Sequence, residues 1–277
     1  MTRAQIIEQI FKKKTFLCVG LDTDLTKIPK HLLTVEDPIF EFNKAIIDHT
    51  AAHCVAYKPN AAFYEAHGLK GWMSLQKTVS YLKDHYPDHF VIADAKRGDI
   101  GNTASMYAQA FFKEMKADAI TVAPYMGKDS VEPFLKFDGH WAIVLGVTSN
   151  NGALDFQFLQ IQMPSHSTSS KPLFMEIMSK VAEWGTDSNL MFVVGATRTD
   201  ILREVRSALP NHFFLVPGVG AQGGDLKEVI REASNQDGGL LINASRSIIY
   251  ASAGLDFAER AGVEAMLMSE QMQELYF

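Results

Sequence analysis

The segment Phe16–Asp24 reads Phe-Leu-Cys-Val-Gly-Leu-Asp-Thr-Asp and decides between two architectures for this chain. Its apolar part is short and continuous, which is typical of a strand covered on both faces of a parallel sheet. An open sheet that binds a dinucleotide carries a Gly-x-Gly-x-x-Gly turn after its first strand. Here the corresponding residues, Gly20 to Asp24, do not match that fingerprint. The segment therefore favours a closed barrel over an open, doubly wound sheet.

Similar apolar runs recur along the chain and alternate with helical segments. The eight runs are Phe16–Leu21, Val55–Asn60, Phe90–Lys96, Ala119–Pro124, Trp141–Thr148, Leu190–Thr197, Phe213–Val219 and Gly239–Ser245. Helical spacing of apolar residues predicts helices over Ile39–His53, Leu69–His85 and Thr103–Met115. Asp200–Leu209 and Asp225–Ala233 each open with an acidic residue, which favours a helix N-terminus. Strands that alternate with helices imply a parallel sheet, so the chain is predicted to be an α/β protein, a (β/α)8 TIM barrel.

Length and composition support one large globular unit. The chain has 277 residues, 47% of them hydrophobic, and no long tract that resembles a linker, so residues 1–277 are expected to form one domain. The net charge of −6 argues against a nucleic-acid partner. Cys18 and Cys54 lack metal-ligand spacing and suggest a reduced, cytoplasmic setting. No apolar stretch approaches the roughly 20 residues that span a bilayer, and residues 1–14 do not resemble a signal peptide, so no membrane association is expected.

Two connections are longer than the others. One joins the first apolar run to the first predicted helix, between Asp22 and Asp37, and the other covers about residues 149–170. Long loops that follow barrel strands lie on the catalytic face and often act as lids. A mobile insertion without a catalytic role is the alternative, and the sequence does not decide between them.

Polar residues collect where the predicted strands end, and in a barrel those ends surround the active site. They are Asp22, Lys58, Asp94, Lys96, Thr148, Ser149 and Arg246. A strand end needs one or two polar residues to meet solvent. Charges at several ends that face one mouth indicate a functional site instead.

The segment Phe90–Ile100 carries the densest set of these charges. Asp94 and Lys96 lie two residues apart on a strand, so their side chains should leave the same face, with Cα atoms roughly 6.5–7 Å apart. Asp99 follows Gly98, where the chain is free to turn. A salt-bridged strand terminus would also explain this pattern. The presence of Lys58 at the same mouth favours a catalytic role.

The last two strands are followed by residues suited to a phosphate group. Val216–Asp225 is rich in glycine, which lets backbone N–H groups approach an anion closely. Arg246, within Ser245–Ser247, can bind a phosphate through paired N–H bonds. Barrels commonly bind phosphate with the loops after their seventh and eighth strands, so these segments predict a phosphate site.

Together these segments resemble the orotidine 5′-phosphate decarboxylase family. Asp94–Ile100 is similar to the family signature D-x-K-x-x-D-I, and Pro217–Asp225 is similar to its phosphate-gripping loop. Ser245–Ile248 is similar to its final arginine motif. Gly20-Leu21-Asp22 and Lys58 also fall where the family places an aspartate and a lysine. The resemblance runs from about residue 16 to residue 251 and is strongest to the longer bacterial subgroup.

The resemblance implies decarboxylation of orotidine 5′-phosphate to UMP and CO2, the final step of de novo pyrimidine biosynthesis. It implies a homodimer with shared active sites and no cofactor. Lys58, Asp94 and Lys96 would form an alternating row of charges, completed by Asp99 from the other subunit. Lys96 would protonate C6 of the pyrimidine, and Asp94 would lie near the departing carboxylate.

The resemblance also assigns the substrate contacts. Asp22 would contact the ribose, and Ser149 would bind the edge of the pyrimidine. The phosphate would be surrounded by Pro217, Gln222, Ser245 and Arg246. Ile100 and Thr103 would reach into the neighbouring subunit's site. The insertion after Ser149 departs from the shorter family members, so it leaves the lid residues unassigned.

Other functions use similar residues. A hexulose-phosphate synthase or gulonate-phosphate decarboxylase would place the carboxylates around Mg²⁺. A Schiff-base aldolase would use Lys96 or Lys58 as its nucleophile. A catalytically silent barrel would only bind a nucleotide, although the intact Lys96 and Asp99 argue against this.

Overall fold

The chain folds into a closed barrel of eight parallel strands surrounded by helices. The computed structural model describes residues 1–162, 170–196, 198–219 and 224–277. The strands are β1 (Leu17–Leu21), β2 (Ala56–Pro59), β3 (Phe90–Arg97), β4 (Ala119–Val122), β5 (Trp141–Val147), β6 (Gln160–Gln162), β7 (Ser170–Pro172), β8 (Leu190–Val194), β9 (Phe213–Pro217) and β10 (Leu240–Ala244). Around the barrel the order is β1-β2-β3-β4-β5-β8-β9-β10, and β10 closes on β1. Each predicted apolar run coincides with one barrel strand, although β3 continues one residue past its run, so the predicted barrel is confirmed.

Helices cover the outside of the barrel. The α-helices are α1 (Arg3–Lys13), α2 (Pro38–Thr50), α3 (Ala61–Glu65), α4 (Gly68–His85), α5 (Gly101–Gln109), α6 (Glu132–Leu135), α7 (Ala153–Phe156), α8 (Leu173–Ala182), α9 (Thr199–Ala208), α10 (Leu226–Ala233), α11 (Arg246–Ile249) and α12 (Phe257–Tyr276). Short 3-10 turns cover Lys30–Thr34, Ala51–His53 and Lys128–Ser130, and a π-helical turn covers Ala110–Glu114. Among the described residues no helix is long and apolar enough to cross a membrane.

The five predicted helices are confirmed as α2, α4, α5, α9 and α10, with small shifts at their ends. Local chemistry explains several of these boundaries. Asp225 caps α10 by accepting hydrogen bonds from the N–H groups of Lys227 and Glu228. Asp37 caps α2 in the same way, and Pro38 occupies its first turn. The predicted helix over Thr103–Met115 continues past α5 as the π-helical turn.

The long C-terminal helix α12 was not predicted, and its packing explains why. It lies against α2 through small buried residues such as Ala261, Gly262 and Ala265. A Cβ added to Gly262 would lie 2.8 Å from the carbonyl oxygen of His49, so the two helices approach closely. Small residues bury little apolar surface each, so they leave only a weak hydrophobic period in the sequence.

The long connection after β5 carries regular structure that was also not predicted. It contains α7 and the antiparallel pair β6–β7, in which Ile161 lies opposite Lys171. Residues 163–169 and Thr197 lie outside the described residues. Whether this connection acts as a lid therefore stays a prediction.

Arg206 on α9 forms hydrogen bonds with the residues that precede β9 and β10. Its guanidinium donates to the carbonyl oxygens of Leu209, Pro210, His212, Ala233 and Gly239. It also lies 3.8 Å from the centre of the Phe214 ring. Burial lowers the pKa of Arg206 to about 9.

Replacing Arg206 with Met should destabilise the fold strongly. The apolar part of the side chain is kept, but several carbonyls lose a charged donor, and we expect a loss of about 3–5 kcal/mol in the free energy of unfolding. Equilibrium unfolding in urea measures this. Arg203→Met is the matched control on the same helix, because the Arg203 side chain is exposed and its partner Glu232 keeps an ion pair with Arg231, so the change should affect stability little. Equal destabilisation by both variants would show that Arg206 has no special role.

Candidate active site

A cavity of about 460 Å³ opens at the carboxyl ends of the barrel strands. Its charged lining residues are Asp22, Lys58, Asp94, Lys96 and Arg246. Its other lining residues include Asn60, Leu145, Thr148, Ser149, Asn150, Val193, Leu215, Pro217, Asn243 and Ser245. The barrel thus brings the predicted strand-end residues to a single cavity, as a parallel barrel requires.

Asp94 lies at the centre of a row of alternating charges. Its Oδ2 accepts a hydrogen bond from Lys58 Nζ at 2.9 Å, and its Oδ1 accepts one from Lys96 Nζ at 2.7 Å. Lys58 Nζ also lies 3.7 Å from Asp22 Oδ1. The row therefore runs Asp22, Lys58, Asp94, Lys96, and Asp94 is held between two ammonium groups.

Burial strengthens the interaction between the two central members of this row, Lys58 and Asp94. Lys58 is only 4% exposed and Asp94 8%. Burial by itself would raise the pKa of Asp94, but Lys58 and Lys96 outweigh it and hold that pKa well below its ordinary value. Burial likewise opposes the charge on Lys58, but Asp22 and Asp94 raise its pKa above the usual range. Both groups are therefore charged at neutral pH.

The backbone of Lys96 is unusual. It has φ +47°, in the left-handed region that residues with a side chain rarely adopt. The register between β3 and β4 shifts between Ala93 and Arg97, so Lys96 lies at an irregularity of the strand. Such strain costs about 1–3 kcal/mol and persists where the surrounding structure enforces it, often at functional sites. Lys96 nevertheless directs its ammonium group to Asp94, as the strand period predicted.

Asp22 lies between the charge row and the loop that follows β1. Its buried Oδ1 has no hydrogen-bond donor among the described residues. Two tyrosine hydroxyls hold the surrounding backbone, since Tyr64 donates to Leu21 O at 2.9 Å and Tyr250 donates to Asp22 O at 2.8 Å. The backbone on both sides of this residue is therefore held in place, and the Asp22 side chain lines the cavity.

The predicted phosphate residues Pro217, Ser245 and Arg246 line the same cavity. Gly20 on β1 permits this arrangement, because an added Cβ would lie 1.8 Å from Ser245 Oγ. Arg246 is exposed, and no carboxylate in the described part of the chain pairs with it. Gln222 lies outside the described residues. Among the described residues at this end of the cavity, Arg246 therefore presents a guanidinium that is not paired with a carboxylate.

Asp99, Ile100 and Thr103 do not line the cavity of their own chain. Asp99 Oδ1 accepts a hydrogen bond from the neighbouring Ile100 N–H at 2.7 Å. Ile100 and Thr103 are exposed at the start of α5. Their predicted role in the neighbouring subunit's site therefore stays a prediction.

Several polar residues of this region were not predicted. Thr121 lies within the fourth apolar run and donates to Asp94 Oδ1 at 2.9 Å. Asn60 and Asn243 lie in the second and eighth runs and line the cavity. The sequence feature that could have identified these three residues is a polar side chain inside an otherwise apolar run. Among residues 1–162, 170–196, 198–219 and 224–277, no group of three His, Cys, Asp or Glu side chains could hold a metal ion.

Over nearly its whole length, the chain is similar to known proteins of a single family. The family model described as "Orotidine 5'-phosphate decarboxylase / HUMPS family" matches residues 15–261. Orotidine 5′-phosphate decarboxylase of Phocaeicola vulgatus is 55% identical over 275 residues, which cover 99% of each protein. The enzyme of that name from Flavobacterium johnsoniae is 56% identical, covering 99% of this chain and 98% of its own length. The structure of Leishmania donovani OMP decarboxylase superposes with a TM-score of 0.81 at 33% identity, covering 99% of this chain and 100% of that one.

Proposed function

The chain belongs to the orotidine 5′-phosphate decarboxylase family and is a carboxy-lyase, and we propose that its charge row carries out the reaction. The observation that supports this is the row itself, with Asp94 held between Lys58 and Lys96 at the mouth of the barrel. The substrate is orotidine 5′-phosphate, and the products are UMP and CO2. Full-length similarity to decarboxylases favours this function over the aldolase and the silent barrel.

Lys96 is the proposed proton donor. When the bond between C6 and the carboxylate breaks, its electron pair stays on C6, and CO2 departs. The Lys96 ammonium stabilises that developing charge and then transfers a proton to C6. Solvent afterwards returns a proton to the lysine. No electron-accepting cofactor is required, because the pair that forms on C6 is neutralised by this proton.

One ion pair cannot supply the whole acceleration. Opposite charges about 4 Å apart contribute on the order of 4 kcal/mol at an effective dielectric constant near 20. The remainder comes from a site whose charges are already in place before the substrate binds. Lys58 contributes here by holding Asp94 ionised beside Lys96, since both partners are buried.

The rest of the cavity orients the substrate. The Asp22 carboxylate, which lines the cavity, would accept a hydrogen bond from a ribose hydroxyl. Ser149 would bind the edge of the pyrimidine. Arg246 would bind the phosphate, together with Gln222 and the residues near Pro217 and Ser245 that line this end.

We further propose that the active form is a homodimer. Asp99, Ile100 and Thr103 lie beside the mouth but outside the cavity of their own chain. Large apolar side chains near this segment are exposed, including Met106 at 53% and Tyr125 at 94%. A partner that covers this face would bury them and bring Asp99 to a second cavity. The proposed setting is the cytoplasm, where the reaction completes UMP synthesis.

The enzyme should decarboxylate orotidine 5′-phosphate without a metal ion. The expectation rests on the charge row, in which Lys96 does the work that a metal would otherwise do. A spectrophotometric assay in EDTA measures the loss of the orotate absorbance, and activity should be unchanged. Lys96→Ala is the control and should be inactive. Activity that returns only when Mg²⁺ is added would contradict the proposal and favour a metal-dependent phosphosugar enzyme.

A further inference from the structure

Thr121 on β4 contacts two members of the charge row at once. Its hydroxyl donates to Asp94 Oδ1 at 2.9 Å and accepts a hydrogen bond from the Lys96 N–H, also at 2.9 Å. The side chain is completely buried. A single hydroxyl therefore joins the carboxylate of one residue to the backbone of the other.

The contact with Lys96 replaces a bond that the strand would normally make. The ladder between β3 and β4 is regular up to Ala93 and resumes at Arg97, whose carbonyl accepts from Ala123 N–H at 2.7 Å. Between them the Lys96 N–H is bonded to the Thr121 side chain instead of a β4 carbonyl. The hydroxyl therefore satisfies a backbone donor that the left-handed conformation of Lys96 takes out of the ladder.

The contact with Asp94 completes the surroundings of its carboxylate. Oδ2 faces Lys58, and Oδ1 receives both the Lys96 ammonium and the Thr121 hydroxyl. Thr121 is the neutral donor among these three, so it does not compete for the proton that the reaction uses. Because Thr121 is held rigidly on β4, its hydroxyl restricts rotation of the carboxylate while Lys96 changes its charge during the reaction.

We propose that Thr121 is a positioning residue, whose hydroxyl fixes the Asp94 carboxylate and the Lys96 backbone in the geometry that proton transfer to C6 needs. This inference rests on the proposed role of Lys96. It assigns Thr121 no contact with the substrate. Loss of the hydroxyl should therefore slow the chemical step and leave substrate binding largely intact.

Thr121→Val and Thr121→Ser separate the hydroxyl from the shape of the side chain. Valine keeps the volume and the β-branch, and serine keeps the hydroxyl. We expect Thr121→Val to lower kcat roughly 10- to 100-fold, the range for loss of a hydrogen bond to a charged group, with KM changed less than about threefold. Thr121→Ser should keep kcat within about threefold of the wild type. Exchange of the C6 proton of UMP in D2O, followed by NMR, should slow in Thr121→Val in parallel with kcat, because it reports proton transfer alone.

The variants at Thr121 test the positioning role, and the variant at Lys96 tests the proposal on which that role rests. An unchanged kcat in Thr121→Val would overturn the inference. Equal losses of kcat and of affinity for UMP in Thr121→Val would also overturn it if Thr121→Ser shows the same losses. If Thr121→Val does not fold, Thr121→Ser and Thr121→Ala provide the same comparison, and equal kcat values in that pair would overturn it. Lys96→Ala is measured in parallel. Full activity in that variant would refute the proposed role of Lys96, whatever the result at Thr121, whereas a wild-type protein that does not decarboxylate orotidine 5′-phosphate would refute the proposed function.

Discussion

Equal amounts of Lys96→Ala and Asp99→Ala protein, mixed after dissociation and reassociation, should recover about a quarter of the wild-type active sites. Each variant alone should be nearly inactive, with kcat at least about 10³-fold lower, because one lacks the proposed proton donor and the other lacks the charge proposed to come from the partner. Random pairing makes half of the dimers mixed. In a mixed dimer one site carries both changes and the other carries neither. The steady-state rate at saturating orotidine 5′-phosphate measures the recovery.

This result would follow from the place of Asp99 in the chain. Lys96 lines the cavity of its own chain, whereas Asp99 lies outside it and is partly exposed. The strand β3 ends at Arg97, so Gly98 and Asp99 lie beyond it. Under the proposal, a site that uses both charges would take them from two chains.

Lys96→Ala mixed with Lys58→Ala is the matched control. Both lysines line the cavity of the same chain, so every site in a mixed dimer would lack one of them. No recovery is expected from that pair. Recovery in the control, or none in the Lys96→Ala and Asp99→Ala mixture despite verified exchange of subunits, would show that Asp99 does not act across the dimer.

Arg246→Ala should lower kcat/KM for orotidine 5′-phosphate by roughly 10²- to 10⁴-fold, the equivalent of losing two hydrogen bonds to a charged group. Both kcat and KM should change, because energy from binding the phosphate is used to close and order the site for the chemical step. The structure supports this, since Arg246 lines the cavity and pairs with no carboxylate of the described residues. Steady-state kinetics with the phosphorylated substrate measures the loss.

Two comparisons test whether this effect belongs to the phosphate. Arg260→Ala removes the same charge from the exposed face of α12 and should leave the kinetics unchanged. Orotidine without its phosphate should react equally slowly with the wild type and with Arg246→Ala. If Arg246→Ala slows both substrates by the same factor, Arg246 does not act through the phosphate.

Local sequence patterns were sufficient to predict the barrel and most of the residues that line its cavity. Continuous apolar runs such as Trp141–Thr148 predict strands that are buried on both faces, and β5 is one. The polar ends of these runs predict the cavity, because parallel strands all end at one face. The same logic missed α12, whose small residues pack against α2 without a strong apolar period. It also missed Thr121, because a threonine inside an apolar run does not indicate which residue its hydroxyl contacts.

Local patterns place Asp22, Lys58, Asp94, Lys96 and Arg246 at strand ends, and therefore predict that they share one cavity. The contacts among these residues depend on the tertiary structure. The left-handed backbone of Lys96 and its bond to Thr121 depend on the register between β3 and β4, which local pattern does not contain. The pairing of Lys58 with Asp94 likewise depends on neighbouring strands 36 residues apart along the chain. A periodic pattern specifies which face a side chain leaves from, whereas hydrogen bonds between strands specify which partner it meets.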